Sequence, residues 1–503
     1  MASTFMGLSI AARGLAASQV GLNVTTNNMS NIDTTGYSRQ LATQTSIGPA
    51  AVYSSSLVGG GTEVTSVDRV RSFRLDQKYW QENSASSALE AKSTYLTEIE
   101  SYFGASDTDY ISTALNTFTT ALSTLSTDSS DSSVRETVLG AAESFCSTLN
   151  NASTELTQLR SDLNTEVSTA VDQINDYAAG IADLNGQISL AKAVGGSTNE
   201  LEDQRDALVD KLSGLVGISV VSEENGSFTI NTKNGTLVSG KEANALECYT
   251  VTDTTSAQYG MYGIRWSDSG EDFAVGDSGS ISGYLEIRDG SSDESKGIPY
   301  YINQLNEFAR SFAQAFNEGI TVGATSYSGH ADGAGIDDAE TTGIRFFSYE
   351  DLSSEDLMAS GTDTQAVYKN ITAANISLSK DVQDDADLIA CASISGEEGN
   401  NENLNDIISI CTDLDISGSS TVTESYNNII ADLSTSSSYT QTQYDRKSTL
   451  VTYIDTSRSS VSGVSSDEET VNLTKYQSAY DASAAAVKTW SQIYDSTINM
   501  VND

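Results

Sequence analysis

Leu22-Asn23-Val24-Thr25-Thr26-Asn27-Asn28-Met29-Ser30-Asn31-Ile32-Asp33-Thr34-Thr35-Gly36-Tyr37-Ser38-Arg39-Gln40 is the stretch on which the fold turns. It begins inside a helical pattern, because Leu8, Leu15, Leu22 and Met29 recur at steps of seven, with Phe5, Ala12 and Ile32 beside them. It ends in residues that stop a helix. Asn27, Asn28 and Asn31 favour helix ends and turns. Gly36 can take the left-handed conformation that closes a helix. The far end of the chain answers this pattern. Leu473, Tyr480, Val487, Tyr494 and Val501 also recur at sevens, with Tyr476 and Trp490 at the intermediate step. A strict seven-residue apolar repeat keeps one seam turned toward a partner helix, the signature of an α-helical coiled coil. Either end alone fits an ordinary amphipathic helix equally well. The two together, at opposite extremes of one chain, describe a polypeptide that leaves a stalk, builds its domains outward and returns to the stalk.

Between the ends, long helices are expected. The chain has only two prolines, Pro49 and Pro299, so little interrupts a helix. Apolar positions run Leu89, Leu96, Ile99, Phe103, then Ile111, Leu115, Phe118, Leu122, Leu125, the second series at alternating steps of four and three. A longer series from Val134 to Ile188 predicts a helix of roughly 80 Å. Gly195–Gly196 ends it, and a short helix spans Leu201 to Leu215. The period then changes. Ile218-Ser219-Val220, Phe228-Thr229-Ile230 and Thr236–Val238 read as short strands, with Asn234-Gly235 as the hairpin turn between the last two. Helical period resumes at Ile298 through Phe316, is ambiguous over 319–370, returns from about Asp384 and is clear from Val422 to Ile454. The expected fold is mainly α with an inserted small β domain. Its parts are a terminal coiled-coil domain (1–36 plus 465–503), an extended connector (37–83), a long-helix bundle (84–215 plus 290–464, with the Gly/Asp-rich segment 319–370) and the β domain (216–289).

Composition excludes several classes of function. The chain has 503 residues, too many for one core and enough for about three domains. Lys+Arg is 26 against Asp+Glu 69, a net charge of −43. Nucleic acid and anionic membrane surfaces would both repel it, and no apolar run is long enough to cross a bilayer. Met1 to Ile10 carries no Lys or Arg before an apolar core, so it is not an ordinary cleavable signal. On these grounds alone the chain would be assigned to the cytoplasm. Cys146, Cys248, Cys391 and Cys411 are too sparse for a disulfide scaffold and read as free buried thiols, with a Cys391–Cys411 bridge as the alternative.

The motif stretches resemble a known family. Leu22 to Tyr37 is similar to the N-terminal motif of flagellar rod, hook and hook-associated proteins, and the continuation Ser38-Arg39-Gln40 resembles the form found in the hook-associated protein 1 family. At the other end, Ser462-Gly463-Val464-Ser465-Ser466-Asp467-Glu468-Glu469, Asn472-Leu473 and Tyr476-Gln477-Ser478-Ala479-Tyr480 resemble the same family. So does Leu201-Glu202-Asp203-Gln204-Arg205-Asp206-Ala207-Leu208-Val209 before the β domain. The resemblance implies a junction adaptor between hook and filament: a ring of copies with terminal helices lining an inner tube, touching hook protein and the next junction protein. It also implies help from an export chaperone and exit through the flagellar export channel with no cleaved signal. It thereby replaces the cytoplasmic assignment with an extracellular one. The assembly seam would be Leu8, Leu15, Leu22, Met29, Leu473, Tyr476, Tyr480, Val487, Trp490 and Tyr494. The family motif would be Asn23, Asn28, Asn31, Gly36, Tyr37, Ser38 and Arg39, with Asn27, Asn28, Asn31 and Gly36 as a polar joint that also contacts neighbouring subunits, the plain alternative being a helix cap. Residues 319–370 look too short for the extra outer domain of longer members. The remaining readings are a hook or rod protein of the same superfamily, a secreted flagellar enzyme, or an adhesin working through the β domain.

Catalytic chemistry is hard to find. The single histidine, His330, lies in a Gly-rich segment and reads as a solvated loop residue. No phosphate-binding loop, zinc helix or Cys-x-x-Cys pair occurs. The chain is therefore expected to be a non-enzyme without cofactor. Asp413, Asp415, Ser417 and Glu424, with Gly418 as the turn, match the ligand spacing of a calcium loop. In a chain so rich in Asp, Ser and Gly, coincidence explains that match better. The cluster Asp381, Asp384, Asp385 and Asp387 reads as a solvated face.

Overall fold

A computed structural model describes residues 6–48, 59–104, 110–337, 341–361, 364–397, 399–416 and 420–502, with the side chains of Gln365, Val501 and Asn502 excepted. Phe5, Pro49, Ser417 and Gly418 therefore lie outside the described residues. Helix α1 (Met6–Ser30) leads into an antiparallel hairpin of β1 (Gln40–Ile47) and β2 (Gly61–Arg69). Then come α2 (Phe73–Tyr102), α3 (Tyr110–Leu125), α4 (Ser132–Ala193) and α5 (Asn199–Leu215). The segment expected as an extended connector, 37–83, is thus a hairpin followed by the first turns of α2. Alternation in Gln40–Ile47 is masked by exposed Thr and Ser on both faces, so the period-2 signal is weak there.

Helix α4 is the beam of the molecule. It runs 62 residues without a break, which is about 93 Å. Asp131 caps its first turn, its side chain accepting from the Ser133 and Val134 amides. Gly195, at φ 72°, turns the chain out of it. One stripe of α4 serves two cores. Val138 to Leu163 packs with α3 and with Phe312, Phe316, Phe346 and Phe347, and Val167 to Ala182 packs with Trp80, Val209, Leu212 and the small sheet.

That sheet holds β3 (Ser219–Ser222), β4 (Phe228–Asn231), β5 (Thr236–Ser239) and β6 (Glu242–Ala243) in sequential order. The hairpin of β7 (Leu246–Thr250) and β8 (Tyr262–Trp266) stands beside it. The β segment closes with a helix rather than a strand, α6 (Ser280–Asp289), followed by the tiny ladder β9 (Ser291–Ser292) and β10 (Ser295–Lys296). Helix α7 (Ile298–Glu318) starts with Pro299 in its first turn, where the missing N–H costs nothing. The ambiguous segment 319–370 resolves into short pieces, β11 (Ile320–Val322), β12 (Thr325–Tyr327), β13 (Phe347–Tyr349), α8 (Ser354–Ala359) and α9 (Thr364–Tyr368), and is followed by β14 (Ile376–Leu378) and α10 (Lys380–Asp384). Helix α11 (Glu402–Thr412) precedes α12 (Val422–Ser462), which lies along α2, and α13 (Ser466–Asn502), which lies along α1. The chain is mainly α with small β elements, and its two ends meet. No described helix is long and apolar enough to cross a membrane.

Candidate assembly site

Helices α1 and α13 pack antiparallel, and the contact line differs from the expected one. Gly7 faces Trp490, Gly14 faces Ser483 and Gly21 faces Tyr476, so both helices advance by seven residues per contact. A Cβ on Gly21 would sit 2.6 Å from the Tyr476 ring, and one on Gly7 would collide with Trp490. Around these glycines Ala11, Ser18, Thr25 and Asn28 are buried. Gly7, Ala11, Gly14, Ser18, Gly21, Thr25 and Asn28 therefore make one stripe of small residues at alternating steps of four and three. Small side chains let two helix axes approach closely. The leucine series Leu8, Leu15, Leu22 is one residue offset, hence about 100° around the helix. Those leucines, with Leu473, Tyr480, Val487 and Tyr494, are only half-buried, and Met29 is 36 % exposed. An apolar series at sevens thus flanks the pair and stays partly open. A groove of about 930 Å³ lies between α1, β2 and α13, walled by Ile10, Ala11, Ala486 and Trp490.

The stripe runs into the joint. Asn28 is 1 % exposed and fixes the start of β1: its Nδ2 donates to the Gln40 carbonyl, and its Oδ1 accepts from the Gln40 amide, each at 2.9 Å. The Tyr37 hydroxyl donates to the same Oδ1 at 2.9 Å and accepts from Asn27 Nδ2 at 3.2 Å. Asn31 bonds back to Asn27, while Asn23 is exposed. Gly36, at φ 82°, makes the reversal that brings Tyr37 under the helix end. Burial, with Asp203, Glu200 and Glu469 nearby, pushes the Tyr37 hydroxyl up to about 12, so it stays a donor.

Beyond Tyr37 the chain meets charge. The Ser38 amide donates to Asp203 at 2.9 Å, and the Gln40 amide side chain donates to Glu200 at 2.8 Å. Arg39 bridges Glu469 at 2.9 Å and Glu468 at 2.8 Å, and its backbone N–H donates to the Ser462 carbonyl at 2.8 Å. One residue thus ties the N-terminal motif to the start of α13. Arg69 reaches Glu202, Asp203 and Asp206, each at 2.8 Å. Arg71 bridges Asp76 at 2.9 Å and Asp206 at 3.4 Å. Arg458, near the end of α12, bridges Asp76 at 2.9 Å and Asp210 at 2.8 Å, with its guanidinium 4.1 Å from the Tyr79 ring centre. Burial alone would lower the Arg71 guanidinium, but Asp206 and Asp76 more than offset it and hold it above its usual range. Burial raises the Asp210 carboxyl, with Arg458 offsetting part of the rise.

The three motif stretches therefore form one place. The N-terminal motif supplies Asn28, Tyr37 and Arg39, the C-terminal motif Glu468 and Glu469, and α5 supplies Glu202, Asp203 and Asp206. Sequence reasoning missed Arg69, Arg71, Asp76, Asp210 and Arg458, which no periodic pattern marks. A usable signal did exist, since arginines are few in so acidic a chain and Arg69 and Arg71 sit two apart.

Other residues singled out from the sequence lie elsewhere. His330 is not a solvated residue. It is 1 % exposed, its Nδ1–H donates to the Ile344 carbonyl at 2.7 Å, and its Nε2 accepts from the Ala390 amide at 3.0 Å. It lies against Phe316 and Phe346, and burial lowers it to about 4. The Gly-rich context suggested a loop, but the segment folds inward over the phenylalanine core. Glu424 closes a capping box with Thr421 at the start of α12, while Asp413 and Asp415 are exposed and Ser417 is outside the described residues. Asp381 accepts from the Ser354 amide and Asp385 caps the turn after α10, so that cluster is partly structural. All four cysteines are free; Cys248 is half-buried and the rest are buried.

Comparisons with known proteins match both ends of the chain. A family model for the flagella basal body rod protein matches residues 8–37, and one for the flagellar basal body rod FlgEFG protein C-terminal matches 456–500. The paired ends and their joint thus define a structural component of the bacterial flagellum. A third model, the flagellar hook-associated protein FlgK helical domain, matches residues 96–335. Flagellar hook-associated protein 1 of Bacillus subtilis (strain 168) is 30% identical over 99% of each chain, and that of Escherichia coli (strain K12) is 25% identical over 97% of this chain and 98% of its own. The chain belongs to the flagellar hook-associated protein 1 family. Its fold is similar to that of the flagellar hook junction protein FlgK from Burkholderia pseudomallei, with a TM-score of 0.60 at 16% identity, covering 77% of this chain and all of that one.

Proposed function

We propose that this protein is the mechanical adaptor at the hook–filament junction, and that its ends carry the assembly. Copies form a ring. The half-buried flanks of α1 and α13 pack with the ends of hook protein on one side and of the next junction protein on the other. The protein works outside the cell, reached by export without a cleaved signal and with a chaperone covering the apolar ends beforehand. Its task is geometric, not catalytic.

The single observation that supports this most is the pairing of α1 with α13 through small residues. Gly7, Gly14 and Gly21 settle the helix pair within one chain and leave Leu8, Leu15, Leu22, Leu473, Tyr480 and Val487 half-open. A soluble single chain gains nothing from such flanks, whereas a tube of neighbouring helix pairs buries them, at about 25 cal/mol per Å². The arginine–carboxylate joint supports the second half of the reading, because fixed ends can carry load only if held at a defined angle to the body. Deleting the gene and viewing the cells by electron microscopy tests the proposal. Bare hooks, with filament subunits shed into the medium, are the expected result; normal filaments contradict it.

A further inference from the structure

The β7–β8 hairpin holds a tyrosine in a fixed and specific pose. Tyr249 pairs with Gly263 in the antiparallel register. Its ring fills the place that a side chain at 263 would take, since a Cβ there would lie 2.6 Å from the ring's Cζ. The hydroxyl crosses β8 and donates to Asp272 at 2.9 Å. The Arg265 guanidinium, itself bridged to Glu247 at 2.6 Å, lies 5.0 Å from the ring centre. The ring is therefore laid along the sheet and held at root and tip. It lines a cavity of about 550 Å³ between β8, the 272–277 segment, α6 and the turn that follows.

The rest of that wall is polar, and two of its four carboxylates are paired with cations. Asp289 pairs with Arg288 at 2.7 Å and accepts from Gln258 at 3.1 Å, and Glu286 pairs with Lys92. The Asp277 side chain is exposed and has no hydrogen bond or ion pair among the described residues. Asp272 accepts the Tyr249 hydroxyl, so Asp277 is the carboxylate of this wall left without a hydrogen-bond or ion-pair partner among the described residues. What remains is an aromatic surface beside a free carboxylate and hydroxyls. That is the chemistry that takes a pyranose ring: its C–H face packs on an aromatic, and adjacent hydroxyls donate in pairs to a planar carboxylate. Size agrees, since small-ligand clefts are typically about 300–1,000 Å³. Tyr249 is ordered beforehand, which spares the ligand that cost. The net charge of −43 disfavours an acidic sugar.

We propose that the cleft between β8 and α6 binds a neutral saccharide, with Tyr249 as the stacking surface and Asp277 as the hydroxyl acceptor. The full chain, applied to a printed panel of neutral and sialylated oligosaccharides, supplies the probe. The strongest neutral glycan is then titrated calorimetrically, with spermidine as the cationic comparison. Binding of a neutral glycan is expected, weakened about tenfold or more in Tyr249→Ala, with Tyr249→Phe retaining most of it. Melting curves check the fold of each variant. Should Tyr249→Ala unfold, Asp277→Asn carries the test, because that side chain holds nothing in place; the same weakening is expected. No neutral glycan bound at millimolar concentration overturns the proposal. So does binding confined to sialylated glycans or spermidine, or affinity unchanged in both Tyr249→Ala and Asp277→Asn.

Discussion

Asp206 shows how the joint is built. It is buried to 3 % side-chain exposure and touches three guanidinium groups: Arg69 at 2.8 Å, and Arg71 and Arg205 at 3.4 Å each. Such an arrangement adds little net stability, because desolvation offsets attraction, yet removing one partner strands the others. Asp206→Ala is expected to cost about 3 kcal/mol or more in urea unfolding; a loss below about 1 kcal/mol, the value of an exposed pair, would contradict the joint as described. His330 makes a second residue-scale test. Its folded form resists protonation down to about 4, whereas the unfolded chain takes a proton near 6.5. Between those values the unfolded state binds more protons, so stability falls as pH falls through that window. The contribution is about 3 kcal/mol at most and is complete above pH 6.5. Urea midpoints at pH 7 and pH 4.5 should differ less in His330→Gln than in the parent chain. An equal difference would show that carboxylates alone set the acid sensitivity.

Helix by helix, the sequence speaks where large apolar residues repeat and falls silent where small ones do. The series Val134 to Ile188 and Ile298 to Phe316 emerge as α4 and α7, and Asn234-Gly235 lies in the four-residue turn 232–235 between β4 and β5, where neither residue takes the positive φ of a two-residue hairpin turn. The stripe Gly7, Ala11, Gly14, Ser18, Gly21 has the same period, but hydropathy does not weigh glycine or serine. The partner of that stripe lies more than 450 residues away, where local pattern carries no information. The charged joint was hidden for the same reason: Arg39, Asp203, Arg458 and Glu469 come from four separated segments. Gly21→Leu tests the element directly. It should push α13 off α1, so that a protease cleaves within 466–500 faster while the body's melting temperature stays put; unchanged protection would contradict the glycine contact. At the start of α12, Glu424 is committed to a capping box, so millimolar calcium should raise the melting temperature no more than magnesium does. A calcium-specific rise, lost in Asp413→Asn, would restore the loop as a metal site.

At the scale of the whole molecule, α4 threads two cores and links them through one continuous helix. The body's surface is strongly acidic, yet residues 1–32 contain no Asp or Glu at all. Helix α1 thus carries no like-charge repulsion, whereas its partner α13 carries Asp467, Glu468, Glu469, Asp481 and Asp495. The central claim is that the half-open flanks of this pair are buried only on assembly. Leu15→Asp and Val487→Asp test it most directly, since a charge there is tolerated in water but costs several kcal/mol in a packed seam. The measurement is electron microscopy of cells producing either variant, alongside circular dichroism of the purified proteins. The account expects native-like helicity in solution, export into the medium and hooks that carry no filament; filaments of normal number and length on either variant would contradict it.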